Sequence, residues 1–198
     1  MTAPGLLIVC SGPSGAGKGT ICNLIRKEFP NIYYSISATT RRPRNGEKNG
    51  VDYFFIDKEE FIRLRKKNGF LEWALVYDNF YGTPREVIEK KIKDGEDVIL
   101  EIDIQGALQI KKHYPQGVFV FILPPSICEL KKRIEARGEN APEDIEKRLN
   151  CVHKEIAYIS EYDYIITNDK LENAVEKLKA IIIAEKCRPQ RKSLDFDN

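Results

Sequence analysis

The nine residues GPSGAGKGT, positions 12 to 20, constrain this chain more than any others. They stand between an apolar run, Leu6 to Cys10, and an amphipathic stretch, Lys18 to Phe29. The run reads as a buried strand and the stretch as the helix that follows it. Gly12, Gly17 and Lys18 fit the pattern G-x-x-x-x-G-K-[ST], in which backbone N–H groups cradle phosphate. Four of the residues from 12 to 19 are glycine, so the chain can wrap an anion closely. The helix start beyond them adds its positive dipole end. Gly12, Pro13, Ser14, Gly15, Ala16, Gly17, Lys18, Gly19 and Thr20 are therefore the candidate triphosphate cradle, with Lys18 reaching toward the outer phosphates.

One position breaks the pattern. Residue 19 should carry a hydroxyl for a magnesium ion and is Gly19; the hydroxyl comes next, at Thr20. The form G-x-G-K-G-T resembles the loop of the nucleoside monophosphate kinases. That resemblance implies Mg2+ held through phosphates and water, with Thr20 as the one side-chain candidate.

The rest of the chain alternates strand-length apolar runs with helical stretches. Further strands are expected at Tyr33 to Ser37, Tyr53 to Ile56, Gly69 to Val76, Val98 to Asp103, Val118 to Leu123 and Tyr164 to Thr167. Helices are expected at Lys58 to Asn68, Pro84 to Asp94, Ala107 to His113, Ile127 to Arg137, Pro142 to Ala157 and Leu171 to Lys186. Ser126 with Glu129 makes a capping box, and Asn168-Asp169 supplies start signals for the last helix. Strands as apolar as Val118-Phe-Val-Phe-Ile-Leu are buried on both faces, which implies an α/β fold with a parallel sheet between helices. From Ser37 to about Asp94 the strands are shorter and more polar, as in an inserted subdomain.

Composition sets the outer limits. The 198 residues are 42% hydrophobic and 31% charged, with a net charge of +2, which suits one soluble domain. The five cysteines are scattered without a C-x-x-C pair, so neither a zinc site nor a disulfide framework is suggested. No run approaches membrane-spanning length. A cytoplasmic protein, monomer or homo-oligomer, with no membrane contact is expected.

The second informative stretch is the loop from 41 to 50. It carries Arg41, Arg42, Arg44 and Lys48 against Glu47, a local +3. Arginine forks suit phosphate oxygens, and Pro43, Gly46 and Gly50 make the segment a loop. A nucleic-acid surface would spread basic and aromatic positions more widely, so a small phosphorylated ligand fits better.

Ser37-Ala-Thr-Thr-Arg-Arg-Pro-Arg, Gly46-Glu-Lys-Asn-Gly-Val-Asp-Tyr, Phe70-Leu-Glu-Trp-Ala, Tyr81-Gly-Thr and Glu101-Ile-Asp-Ile-Gln-Gly, in this order, closely resemble the guanylate kinase family. The resemblance spans the chain from the phosphate loop to Ile166-Thr-Asn-Asp. It implies a phosphate-loop core at about 1–36, 95–125 and 150–190, a GMP-binding insert at about 37–94, a lid at about 126–149 and a frayed tail from 187. It implies transfer of the ATP γ-phosphoryl group to GMP. Arg41, Arg44, Tyr53 and Tyr81 would hold the GMP phosphate, and Ser37, Glu72, Thr83 and Glu101 would line the guanine pocket. Asp103 would lie near the phosphates and the metal's water shell. Arg133, Arg137 and Arg148 would close on the moving phosphoryl group, and Asn168 would lie near the adenine. The chemistry is consistent: guanine offers N1–H and an exocyclic amine to carboxylates, whereas adenine presents a lone pair. The acceptor is already a phosphate oxygen, so His113 and His153 need no role as bases.

Three other readings compete. Asp103-Ile-Gln-Gly106 matches the D-x-x-G of GTP-hydrolysing switches, but no N-K-x-D accompanies it. Guanylate-kinase-like scaffold modules bind proteins and have lost parts of the loop that this chain keeps. Action on another monophosphate conflicts with Ser37, Glu72 and Thr83.

Overall fold

The computed structural model describes residues 4–76, 78–136 and 142–191, with the backbone alone at 142–145, 147, 148 and 190. The chain opens with β1 (Leu7–Ser11) and α1 (Lys18–Glu28), then runs through β2 (Tyr33–Tyr34), β3 (Ala38–Thr39), β4 (Phe54–Phe55) and α2 (Lys58–Lys66). Next come β5 (Phe70–Val76), β6 (Asn79–Pro84), α3 (Arg85–Lys93), β7 (Val98–Glu101) and α4 (Ile104–His113). The final third holds β8 (Val118–Leu123), α5 (Ile127–Glu135), α6 (Pro142–Ile156), β9 (Tyr164–Thr167) and α7 (Leu171–Lys186).

Five strands form a sheet in the order β2-β7-β1-β8-β9. Every pairing in it is parallel. β1 is central, with Val9 opposite Leu100 on one side and Phe119 on the other. Alternate residues of β1 serve the two faces, as strand periodicity requires. Ile8 and Cys10 pack with Ile21, Ile25 and Leu178, while Leu7 and Val9 pack with Ile88, Ala107 and Ile110. Burial on both faces is why β1 and β8 read as unbroken apolar runs.

A second sheet, β4-β3-β6-β5, is mostly antiparallel. Its small core is Ala38, Phe61 and Phe70, with Phe61 stacked on Phe70 at 4.4 Å between ring centroids. Two expectations fail here. Tyr33 to Ser37 is not one strand: Tyr33–Tyr34 pairs with β7 in the first sheet, and pairing resumes at Ala38 in the second. The chain changes sheets at this point. Asn79 to Pro84, where no strand was expected, is β6, and Gly82 is the residue the core demands there. A Cβ there would lie 2.9 Å from the Phe70 ring and 3.1 Å from Phe61.

Helix starts follow capping chemistry. Ser126 accepts from the Glu129 N–H, as its sequence position suggests. α4 begins at Ile104 rather than Ala107, because the Asp103 carboxylate accepts from the N–H groups of Gln105 and Gly106. α7 begins at Leu171 as expected, but its N-cap is Lys170 without a side-chain bond, so the Asn168-Asp169 signal was misread.

Gly82→Ala should cost about 1–3 kcal/mol by overpacking the aromatic core of the second sheet. Chemical denaturation of the purified variant checks this; an unchanged midpoint would contradict the packing.

Candidate active site

The phosphate loop connects the carboxyl end of β1 to the start of α1, where open parallel sheets hold their ligands. Gly12, Gly15 and Gly17 have φ of 139°, 91° and 94°, a region costly for residues with a Cβ. Space is closed as well: a Cβ on Gly12 would lie 2.2 Å from the Ile122 carbonyl oxygen. Lys18 folds over the loop, and its Nζ donates to the carbonyls of Gly12 at 2.7 Å and Pro13 at 3.1 Å. Asn168 is buried beneath, and its Nδ2 donates to the Ala16 carbonyl at 2.8 Å. It thereby ties the β9–α7 junction to the loop. Arg133 reaches the same junction through the Asn168 carbonyl at 3.2 Å, with Glu129 at 3.0 Å on its other side.

One cleft joins this loop to the second sheet. Gly12, Ser14, Gly15, Gly17, Lys18 and Gly19 line one side, and Ser37, Arg41, Arg44, Tyr53 and Tyr81 the other. Glu101, Ile102 and Asp103, at the carboxyl end of β7, form part of the same lining. The structure thus brings together most residues singled out in the sequence. Ala16, Glu72, Thr83 and Asn168 are buried and do not form the lining; neither do Pro13, Thr20 and Arg133. Thr20 is exposed on α1. Arg137 lies outside the described residues, and Arg148 is placed on α6 without its side chain.

The basic loop is already internally paired. Arg41 makes two 2.6 Å bonds to the Glu47 carboxylate and lies over the rings of Tyr53 and Phe55 at 4.9 and 5.5 Å. Burial opposes the Arg41 charge, but Glu47 outweighs it and raises the guanidinium pKa. The same bond, with the Arg44 N–H, lowers that of Glu47. Burial pushes the Tyr53 hydroxyl up to about 12.

Glu72 is the least solvated carboxylate here. One oxygen accepts from the Thr83 hydroxyl at 2.6 Å, and Oε2 has no partner among the described residues. Burial raises its pKa to about 8, against the Thr83 bond. A Cβ on Gly106 would lie 2.3 Å from Glu72 Oε2. The D-x-x-G segment therefore has a local purpose: Asp103 caps α4, and Gly106 gives the Glu72 carboxyl room. Asp103 itself is raised, first by burial.

Glu155 is a residue that the sequence reading missed. It comes from α6, helps line the cleft, and feels Lys18 and Asp103, with burial raising its pKa. A signal was available. Leu149, Val152 and Ile156 form the packed face of α6, and Glu155 is a carboxylate three residues from Val152 on that side. Among the described residues no group of three or more His, Cys, Asp or Glu side chains could hold a metal unaided. Glu101 and Asp103 beside a phosphate cradle instead suit a hard divalent cation that takes its remaining ligands from phosphate and water.

A glycine-shaped loop at the carboxyl edge of a parallel sheet, with Lys18 over it, defines the phosphate-loop class of nucleotide-handling folds. The guanylate kinase family model matches residues 5–185, and the chain belongs to that family. A guanylate kinase of Caldanaerobacter subterraneus subsp. tengcongensis is 56% identical over 187 residues, 94% of this chain and 91% of its own length. That of Desulfitobacterium hafniense is 53% identical over 192 residues, covering 97% and 96%. The crystal structure of guanylate kinase from Anaplasma phagocytophilum superimposes with a TM-score of 0.81 at 36% identity, covering 96% of this chain and 90% of that one.

Glu72 predicts a pH effect. Its folded pKa, about 8, exceeds the ordinary 4.5, so the native state binds the extra proton between these values. This contribution to stability is present below the unfolded pKa and is lost as pH rises through 8. Glu72→Gln should flatten that fall; equal pH slopes for both proteins in chemical denaturation would contradict it.

Proposed function

We propose that the chain transfers the γ-phosphoryl group of ATP to GMP, reversibly, giving ADP and GDP, with Mg2+ as the accompanying cation. The observation that carries this reading is the single cleft with the phosphate loop on one side and Arg41, Arg44, Tyr53 and Tyr81 on the other. Donor and acceptor phosphates would face each other across it. The loop amides and the α1 dipole would hold the donor phosphates, and Lys18 would exchange its two loop carbonyls for phosphate oxygens. Arg41 would do likewise with Glu47, turning its fork toward the acceptor phosphate.

Glu72, with Thr83 and Ser37, would recognise guanine. In its ionised form it offers acceptors to N1–H and the exocyclic amine, the groups adenine cannot match. Mg2+ bound between phosphates and water, with Asp103 nearby, would neutralise charge developing on the phosphates. Arg133, Arg137 and Arg148 would add cations from α5, the segment after it and α6, and Asn168 would hold the loop from below on the adenine side. Closing these elements would exclude water, which otherwise competes as acceptor. The bounds proposed are a core at about 1–36, 95–125 and 150–190, an acceptor insert at 37–94 and a lid at 126–149. The setting proposed is cytoplasmic GTP supply; no described helix is long and apolar enough to cross a membrane.

Transfer from Mg-ATP to GMP, dGMP, AMP, CMP and UMP tests the reading. Turnover should be strong with GMP, weaker with dGMP and small with the rest. Lys18→Ala should lower kcat with GMP by about 10²–10³-fold, the usual loss of one preorganised charge donor. No turnover by a folded, unaltered chain with any acceptor would overturn it and favour a protein-binding role.

A further inference from the structure

A second cavity lies at the opposite end of the parallel sheet. It measures about 460 Å³, within the range that holds small ligands. β1 enters the sheet beside it at Leu7, and the phosphate loop leaves β1 after Ser11, about 13 Å of strand away. Leu7, Ile92, Tyr114, Pro115 and Val118 give the cavity an apolar wall. Charged groups complete it. α7 ends at Lys186, and a 3-10 turn at Pro189–Arg191 follows, with the Arg191 N–H donating to the Arg188 carbonyl at 3.0 Å. Residues three apart in such a turn lie on one side, and Arg188 and Arg191 both line the cavity.

Both arginines are held by Glu185, which is only 2% exposed. Its Oε1 lies 2.7 Å from Arg188 and accepts from the Tyr164 hydroxyl at 2.6 Å, while Oε2 accepts from Arg191 at 3.4 Å. Arg191 Nη2 also donates to the Gln116 carbonyl at 2.8 Å. The buried Nε of Arg191 has no partner among the described residues. That N–H is already out of water without an acceptor, a state that costs free energy until an acceptor arrives. Asp163 brings the opposite charge to the lining, and its Oδ2 accepts from the Phe119 N–H at 2.8 Å, which fixes the side chain. α4 ends at the same rim, and a helix carboxyl end favours a cation.

We infer that this cavity binds an α-amino acid with a large apolar side chain. An apolar guest would leave Arg191 Nε unpaired. A simple anion would be opposed by Asp163, because Glu185 already neutralises part of the arginine charge. A simple cation would face two guanidinium groups. A molecule with both charges on neighbouring atoms and an apolar body meets every part of the lining. Its carboxylate takes the Arg191 Nε–H and the exposed edge of Arg188, and its ammonium faces Asp163. Its side chain lies against Leu7, Ile92, Val118 and the Tyr114 ring. Neither the phosphate loop nor the basic loop lines this cavity, so occupancy does not depend on phosphoryl transfer.

Calorimetric titration of the whole chain with L-leucine and L-phenylalanine tests this. The controls are N-acetyl-L-leucine, which lacks the ammonium, and isoamylamine, which lacks the carboxylate. At least one of the two amino acids should bind with one-to-one stoichiometry. Each control should bind about tenfold more weakly, the loss expected for one charge-assisted hydrogen bond. Saturating ADP and GMP should leave the affinity unchanged. Arg191→Lys keeps a cation beside Glu185 but removes the Nε–H, and should weaken amino-acid binding about tenfold. Asp163→Asn should weaken the amino acid and leave N-acetyl-L-leucine unaffected. Thermal melting establishes folding of both variants, and the comparison of analogues on the unaltered chain decides the matter even where a variant unfolds. Absence of saturable binding, displacement by ADP or GMP, or N-acetyl-L-leucine binding as tightly as the amino acid would each overturn the inference. So would undiminished amino-acid binding in both folded variants.

Discussion

Everything at this site depends on a backbone held in a shape that side chains would forbid. Between β1 and α1 three glycines adopt positive φ, and a carbonyl of β8 closes the space over Gly12. Peptide N–H groups can converge on one point only if the chain turns this sharply. The turn is then secured from two directions, by Lys18 above and by Asn168 below. The parallel sheet supplies the rigidity behind it. β1 is paired on both sides and buried on both faces, so the loop starts from an immobile anchor.

The second sheet, the proposed acceptor side, is built on different physics. Its sheet is small, its core consists of a few stacked rings, and its charged loop satisfies itself through Arg41 and Glu47. Fewer buried apolar contacts hold this sheet than hold β1, and smaller cooperative units open at lower cost. A rigid cradle facing a softer clamp would suit the proposed transfer, in which one phosphate is fixed while the other is brought to it.

Much of this was legible in the sequence, and the reasons differ by element. β8, β9 and α7 match their expected bounds because long apolar runs and strong helical periodicity leave little choice. The phosphate loop was legible because its glycines are required by geometry. β6 was not: Gly82 and Pro84 are poor strand formers, and only the rings opposite explain why the strand needs Gly82 there. The division of Tyr33 to Ser37 between two sheets is a tertiary event with no local signature. Asn168 showed the same limit. Its short amide suggested a helix cap, while its bond is to Ala16, 152 residues earlier. Glu155 announced itself only as a charge on a packed helical face.

The pairing of Arg41 with Glu47 changes what the basic loop can attract. A free guanidinium would draw any passing anion, chloride included. Here an incoming ligand must displace a carboxylate bound through two short bonds and supported by two aromatic rings. A monoanion gains nothing by that exchange. A dianion with a planar pair of oxygens gains charge and keeps the fork geometry. On the proposed reading Glu47 would act as a threshold, setting the charge an occupant must bring to displace it from Arg41.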